Sequence, residues 1–280
     1  MHTTSSVKAV KGSSEKLAMM TAYDAPTASL LEQAGMDMIL IGDSAGMVVH
    51  GYDSTIPVTV DDLVLHTKAV RRGAPNTFTV TDFPFLTAHQ SRDVVMAAAG
   101  RFMQEGGAHA VKLEGSEPAV ITAVSQLVQA GVPVMAHLGL TPQHVNVTGG
   151  YKVQAKEEAE AKKLLADAKA LEQTGCFALV LECVPKDIAA VVTNEIDIPV
   201  IGIGAGPDVD GQVLVFHDAV GLTSGFTPKF VKKYAELGTL ASEAVSTYVQ
   251  EVKSSQFPED VHSFKETGQL VGKAYGGAKR

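Results

Sequence analysis

Five side chains able to handle protons or bind cations stand where short apolar runs end. Asp43 follows residues 38–41, Asp82 follows 78–81, Glu114 follows 110–113, His137 follows 134–136 and Glu182 follows 178–181. Hard divalent cations such as Mg2+ take oxygen ligands, usually one or two carboxylates completed by substrate oxygens and water, and Asp43 and Asp82 supply such a pair. The plainer role for either aspartate is to cap a following helix. Lys112 and Glu114 occupy alternate positions of one run, so both side chains point to the same face of a strand. A lysine turned into a protein interior needs an anion, which here is a substrate carboxylate or one of the neighbouring acids. Glu182 closes an apolar run, and a carboxylate partly withdrawn from water suits a general base; the alternative is a buried glutamate paired with an arginine. His137 can donate to a developing oxyanion or serve as a satisfied structural group. Cys183, next to Glu182, faces the other side of the strand and is not read as a nucleophile.

These residues need elements that bring them to one place. Apolar runs recur at residues 17–21, 38–41, 78–81, 110–113, 134–136, 178–181, 200–203 and 213–216, each followed by a helix-like or turn segment. About eight βα units of this kind close a (β/α)8 TIM barrel, an α/β fold in a single domain. The runs are rich in Val, Ile and Leu without alternation, as strands covered on both faces should be. In such a barrel Asp43, Asp82, Glu114, His137 and Glu182 converge at the C-terminal mouth. Residues 61–72, ending at Gly73, and 156–174, ending at Gly175, have helical periodicity, and Pro118 and Pro185 stand where first helical turns begin. Loops 43–59, 138–154 and 202–211 are longer than the fold requires, which places site-shaping segments at the mouth. The glycine turn at 202–206 follows the seventh strand, where barrels often bind phosphate. Pro207 excludes a dinucleotide fingerprint, leaving a tight turn that lets a substrate approach the backbone.

The chain has 280 residues, a size that one barrel accommodates. Its net charge of −8 excludes nucleic acid and anionic membrane as partners, since both require a basic face. Cys176 and Cys183 flank one strand, too far apart for a disulfide, so reduced thiols in a cytoplasmic protein are expected. Residues 1–14 are rich in Ser, Thr and Lys and read as a frayed, flexible leader rather than a signal peptide. Residues 15–264 read as the barrel, and 265–280, glycine-rich with a basic end, as a loose tail.

Several stretches carry a family resemblance. They include Thr21-Ala22-Tyr23-Asp24, Gly42-Asp43-Ser44-Ala45-Gly46-Met47, Asp82-Phe83-Pro84-Phe85 and Val111-Lys112-Leu113-Glu114-Gly115. Further along come His137-Leu138-Gly139-Leu140-Thr141-Pro142-Gln143, Gly149-Gly150-Tyr151-Lys152-Val153-Gln154 and Leu181-Glu182-Cys183-Val184-Pro185. From about residue 15 to Phe264 the chain resembles the ketopantoate hydroxymethyltransferase family, also called 3-methyl-2-oxobutanoate hydroxymethyltransferase. Phe83 departs from it, standing where Leu is usual. The resemblance implies transfer of a hydroxymethyl group from 5,10-methylenetetrahydrofolate to 3-methyl-2-oxobutanoate through a Mg2+-stabilised enolate, giving 2-dehydropantoate and tetrahydrofolate in pantothenate biosynthesis. It implies Asp43 and Asp82 as Mg2+ ligands and Glu114 as a third acid near the metal, directly or through water. Asp43, Ser44, Asp82, Lys112, His137 and Tyr23 would contact the oxoacid or line its site, and Glu182 would accept the proton. It also implies a homo-oligomer, a decamer. Two competing readings are a Mg2+-dependent oxoacid lyase or mutase of the phosphoenolpyruvate mutase and isocitrate lyase group, and a barrel kept as a noncatalytic binding or assembly protein.

Overall fold

The computed structural model describes residues 1–264 apart from Tyr151, Ser224, Phe226 and the side chain of Thr148. The expected tail, 265–280, lies outside the described residues. Eight parallel strands form one closed barrel in sequence order. They are β1 (Leu17–Thr21), β2 (Met38–Ile41), β3 (Phe78–Asp82), β4 (Ala110–Glu114), β5 (Val134–Gly139), β6 (Ala178–Glu182), β7 (Val200–Ile203) and β8 (Gly211–Leu214).

The absence of alternation in these strands has a direct structural cause, because each strand feeds two apolar layers. Leu17, Met19, Met38, Leu40, Phe78, Val80, Ala110, Met135, Ala178, Val180, Ile201 and Val213 fill the barrel interior. The intervening residues, among them Ile39, Ile41, Val111, Leu113, Ala136, Leu179 and Leu181, meet the surrounding helices. Those helices include α2 (Ala25–Gln33), α3 (Val60–Gly73), α4 (Arg92–Gly100), α5 (Pro118–Gln129), α6 (Glu158–Gln173) and α7 (Lys186–Glu195), preceded by α1 (Thr4–Lys8). On α3 the buried positions Leu63, Thr67 and Val70 recur at helical spacing. Asp24 caps α2 by accepting from the Thr27 N–H at 2.7 Å, and Thr59 with Asp62 forms a capping box on α3.

Two expectations are corrected. The apolar run at 213–216 points to the eighth strand, but that strand runs from Gly211 to Leu214. A Cβ on Gly211 would come within 2.6 Å of the Leu17 carbonyl oxygen, so the start of β8 needs a residue of poor strand propensity. The Phe216 N–H then donates to Thr21 Oγ1 (3.0 Å) and the chain turns into a short helix, Phe216–Ala219, that carries His217 and Asp218. The second correction concerns residues 1–14, expected to be frayed. They hold α1, and Val7 and Val10 are buried in the interior cluster with Leu17, Phe78 and Phe177. Lys11 Nζ pairs with Asp210 Oδ2 at 3.1 Å, just before β8. Two valines among many polar residues leave no sequence periodicity, yet each fully buried side chain contributes roughly 1.5–3 kcal/mol.

The compact unit containing the barrel ends at Tyr234, short of the expected limit at 264. Residues 235–264 belong to a second unit, containing α8 (Leu237–Lys253) and a turn in which Phe257 meets Tyr248 edge to ring and His262 at a tilt. Among the described residues no helix is long and apolar enough to cross a membrane.

If the N-terminal segment closes the barrel floor, Val7→Ala lowers the unfolding free energy by roughly 1–3 kcal/mol in urea denaturation, whereas a frayed leader would leave it unchanged.

Candidate active site

The alternation that fills the interior with apolar side chains continues one step further along four strands. Phe78 and Val80 lead to Asp82, Ala110 leads to Lys112 and Glu114, Met135 leads to His137, and Ala178 and Val180 lead to Glu182. All of these charged residues therefore form the top layer of the barrel interior. Strand register sets their neighbours: Asp82 is level with Lys112, and Glu114 with His137. On β2 the same position falls on Gly42, where a Cβ would lie 2.7 Å from Ser44 Oγ and 3.4 Å from Asp82 Oδ2. The glycine keeps that corner open, and Asp43 and Ser44 enter it from just beyond the strand.

The layer is a compensated charge cluster withdrawn from water. Asp43, Asp82, Lys112, Glu114 and His137 are 2–6% exposed. Lys112 Nζ lies 3.0 Å from Asp82 Oδ1, 3.7 Å from Glu114 Oε1 and 3.2 Å from His137 Nδ1. His137 bridges two glutamates, with Nδ1 at 3.3 Å from Glu114 Oε1 and Nε2 at 3.3 Å from Glu182 Oε2. Burial disfavours charge on every member, and the neighbours decide the outcome. Burial and the charges of Glu114 and Asp82 hold the Asp43 carboxyl well above the usual carboxylate range. Asp82 is raised by burial despite Lys112. For Glu114, burial is outweighed by His137 and Lys112, and the carboxyl falls to about 2. For His137, burial and Lys112 are outweighed by Glu114 and Glu182, and the imidazole rises to about 9. Lys112 is raised because three carboxylates, Asp82, Glu114 and Asp43, outweigh its burial.

Neither Asp43 nor Asp82 caps a helix. The short helix Ala45–Val48 begins at Ser44 without a side-chain cap, and Asp82 Oδ2 instead accepts the backbone N–H of Asp43 at 3.1 Å. Asp82 Oδ1, although buried and 3.0 Å from Lys112, takes no hydrogen bond of acceptable angle. An open lone pair on a buried carboxylate, beside a second carboxylate tied to it through the backbone, fits a hard divalent cation. Among the described residues no three His, Cys, Asp or Glu side chains form a ready-made metal site, so the protein offers this pair and leaves other positions to substrate oxygens and water. Glu114 is engaged by His137 and Lys112.

The cluster forms the floor of a cavity of about 630 Å3. Its walls include Met47, Tyr52, Leu140, Val153 and Phe230, and Lys152 and Lys229 stand among its lining residues. Tyr23, expected to line the site, sits behind it: buried, absent from the lining, with its hydroxyl 2.8 Å from Ser44 Oγ. Cys183 borders the cavity because its backbone leaves the strand at φ +49°, and burial together with Glu182 pushes its thiol up to about 12, which keeps it an unreactive thiol. The glycine turn after β7 is filled by the protein itself. A Cβ on Gly204 would meet the Phe230 ring, and one on Gly206 the Lys186 side chain. Gln143 has no counterpart among the expected site residues, yet its Nε2 donates to Asp43 Oδ2 and to the Phe83 carbonyl, both at 2.8 Å. It acts across 100 positions of sequence, a relation that no local spacing reveals.

A (β/α)8 barrel with buried carboxylates, a lysine and a bridged histidine under one cavity defines an enzyme of acid–base chemistry on a small anionic substrate. The sequence narrows this class: residues 1–260 match the family described as ketopantoate hydroxymethyltransferase, and the chain belongs to that family. The 3-methyl-2-oxobutanoate hydroxymethyltransferase of Halalkalibacterium halodurans is 57% identical over 99% of both chains. That of Geobacillus thermodenitrificans is 58% identical over 96% of both. Among solved structures, phosphonopyruvate hydrolase in complex with oxalate and Mg2+ superposes with a TM-score of 0.61 at 13% identity, covering 97% of this chain and 94% of the other. That likeness is one of fold, so the lyase and mutase reading is not favoured.

Lys112→Met leaves the carboxylates without their cation and destabilises the protein by roughly 3 kcal/mol or more in urea denaturation at pH 8. The loss shrinks toward pH 5. Without Lys112 the folded-state carboxyls stay protonated to higher pH, so the added instability develops as pH rises above their unfolded values.

Proposed function

We propose that the chain transfers a hydroxymethyl group from 5,10-methylenetetrahydrofolate to 3-methyl-2-oxobutanoate, giving 2-dehydropantoate and tetrahydrofolate, with Mg2+ seated at Asp43 and Asp82. Family membership with closely similar relatives supports the reaction, and one observation carries the assignment of roles. Glu182, which lines the cavity, has its carboxylate against His137 and lies in the same interior layer as the Asp82–Lys112 pair.

The reaction must break the C3–H bond of the oxoacid, a weak acid, and both C–N bonds that hold the one-carbon unit on the folate, whose two nitrogens each take up a proton; a bond forms from C3 to that carbon, and water supplies the hydroxyl oxygen. A divalent cation, when bound, supplies Lewis-acid polarisation of the keto group, worth several kcal/mol of charge stabilisation. Lys112 sits where it can receive the anionic end of the substrate while remaining paired with Asp82. Ser44, held by Tyr23, offers a hydroxyl among the residues that line the cavity. Glu182 accepts the proton from C3. His137 Nε2 lies 3.3 Å from one Glu182 carboxylate oxygen, an ion-pair contact without an aligned hydrogen bond, and Glu114 pairs with the imidazole at Nδ1. This pairing of the base with a charged imidazole keeps its other oxygen free for the substrate. The burial of the floor excludes bulk water from the reacting carbon. Cytoplasmic placement and a decameric homo-oligomer complete the reading, on the family resemblance.

Asp82→Ala removes Mg2+-dependent formation of 2-dehydropantoate while the circular dichroism of the fold is retained; undiminished turnover would overturn the cation seat. Glu182→Gln retains oxoacid binding but loses exchange of the C3 hydrogen in deuterated water by at least about 100-fold, the scale of one general base. Full exchange in this variant would show that another group takes the proton.

A further inference from the structure

We propose that Gln143 is the positioning residue of the cation seat: it holds the Asp43 carboxylate in the orientation that ligation requires, so divalent-cation affinity depends on a side chain that does not touch the ion. This rests on the reading that Asp43 and Asp82 seat the cation.

Gln143 belongs to the single 3-10 turn Pro142–His144 in the loop after β5, and its side-chain amide reaches Asp43 and the Phe83 carbonyl without itself lining the cavity. Its amide nitrogen has two hydrogens, and both are used. One is donated to the Phe83 carbonyl, whose position is fixed because the Phe83 N–H is itself bonded to the Lys112 carbonyl at 2.8 Å. With the planar amide anchored there, the second hydrogen has one direction left, and it points at Asp43 Oδ2. The backbone N–H of the same residue faces Glu114 Oε2 at 3.4 Å. One residue from the β5 loop therefore touches groups at the ends of β2, β3 and β4.

Asp43 needs this support for a physical reason. The terminal torsion of an aspartate is broad, and Asp43 stands just past the end of its strand rather than within it. Its own backbone N–H goes to Asp82, which ties the main chain but leaves the carboxylate free to turn. A donor on Oδ2 removes that freedom and leaves Oδ1 for a ligand. The donor also has to be neutral. A lysine would bring a charge that repels the cation, a glutamate would have no hydrogen to give, and an amide supplies two donors without charge. Partners that orient a metal ligand from behind are commonly worth 10–100-fold in affinity.

The test uses the full chain and Mn2+ as the probe, with free Mn2+ followed by electron paramagnetic resonance and Mg2+ tested by competition. Gln143→Met preserves length and removes both donors. Its Mn2+ affinity is expected to fall about 10–100-fold, with the urea transition retained. Exchange of the C3 hydrogen, weak at low cation, is expected to recover at saturating cation, since Glu182 and Lys112 are untouched. Wild-type affinity in Gln143→Met overturns the proposal. So does an equal loss of affinity in Pro142→Ala, which loosens the turn and keeps the amide, because anchoring of the loop would then be sufficient. Asp82→Ala separates the two levels of inference. If it binds Mn2+ like the wild type, the seat itself is misplaced; if it does not bind while Gln143→Met binds normally, only the role of Gln143 falls.

Discussion

The structure depends on one ammonium group. Lys112 stands among Asp43, Asp82 and Glu114 in a layer almost without solvent, and its charge offsets part of the cost of burying three carboxylates together. A unit pair at about 4 Å is worth ~4 kcal/mol at an effective dielectric near 20, so one lysine contacting two acids and influencing a third offsets much of the burial penalty. The compensation is incomplete. Asp43 and Asp82 remain raised, while Glu114, which has His137 as a second cationic neighbour, does not. The cluster is thus divided into a satisfied half, around Glu114 and His137, and an unsatisfied half, where a further positive charge would be welcome. The proposed chemistry falls along the same division, with the cation on one side and the base on the other.

This division is a product of the barrel's regularity. Interior positions recur every second residue on each strand, and the lower ones are apolar because they meet only one another. The upper ones are free to be charged because they face the cavity. Register then selects the partners, which is why Asp82 meets Lys112 and Glu114 meets His137 with little adjustment of the chain. At Gly42, the interior position just past the end of β2, a side chain is withheld, and the space it leaves is used by groups arriving from the following turn.

Much of this was legible in the sequence. The apolar runs gave seven strands within a few residues, and the parity of Lys112 and Glu114 placed both on the interior face. What could not be read had specific causes. β8 opens on a glycine demanded by the Leu17 carbonyl, so its signal was displaced toward Val213. The N-terminal helix contributes only Val7 and Val10 to the core, too few for a period. Tyr23 carries the right chemistry for a contact residue, but only the fold shows that Ser44 stands in front of it. Gln143 was visible as a residue within a motif and invisible as a partner of Asp43, since their proximity is created by a loop folding back across the mouth.

The helix at the start of the chain carries one more implication. With Val7 and Val10 seated among the lowest interior side chains, the apolar filling of the barrel is closed from below, and the charged layer rests on top of it under the cavity. The charged layer therefore has packed apolar side chains beneath it and the cavity above it, so whatever meets it arrives from the cavity side.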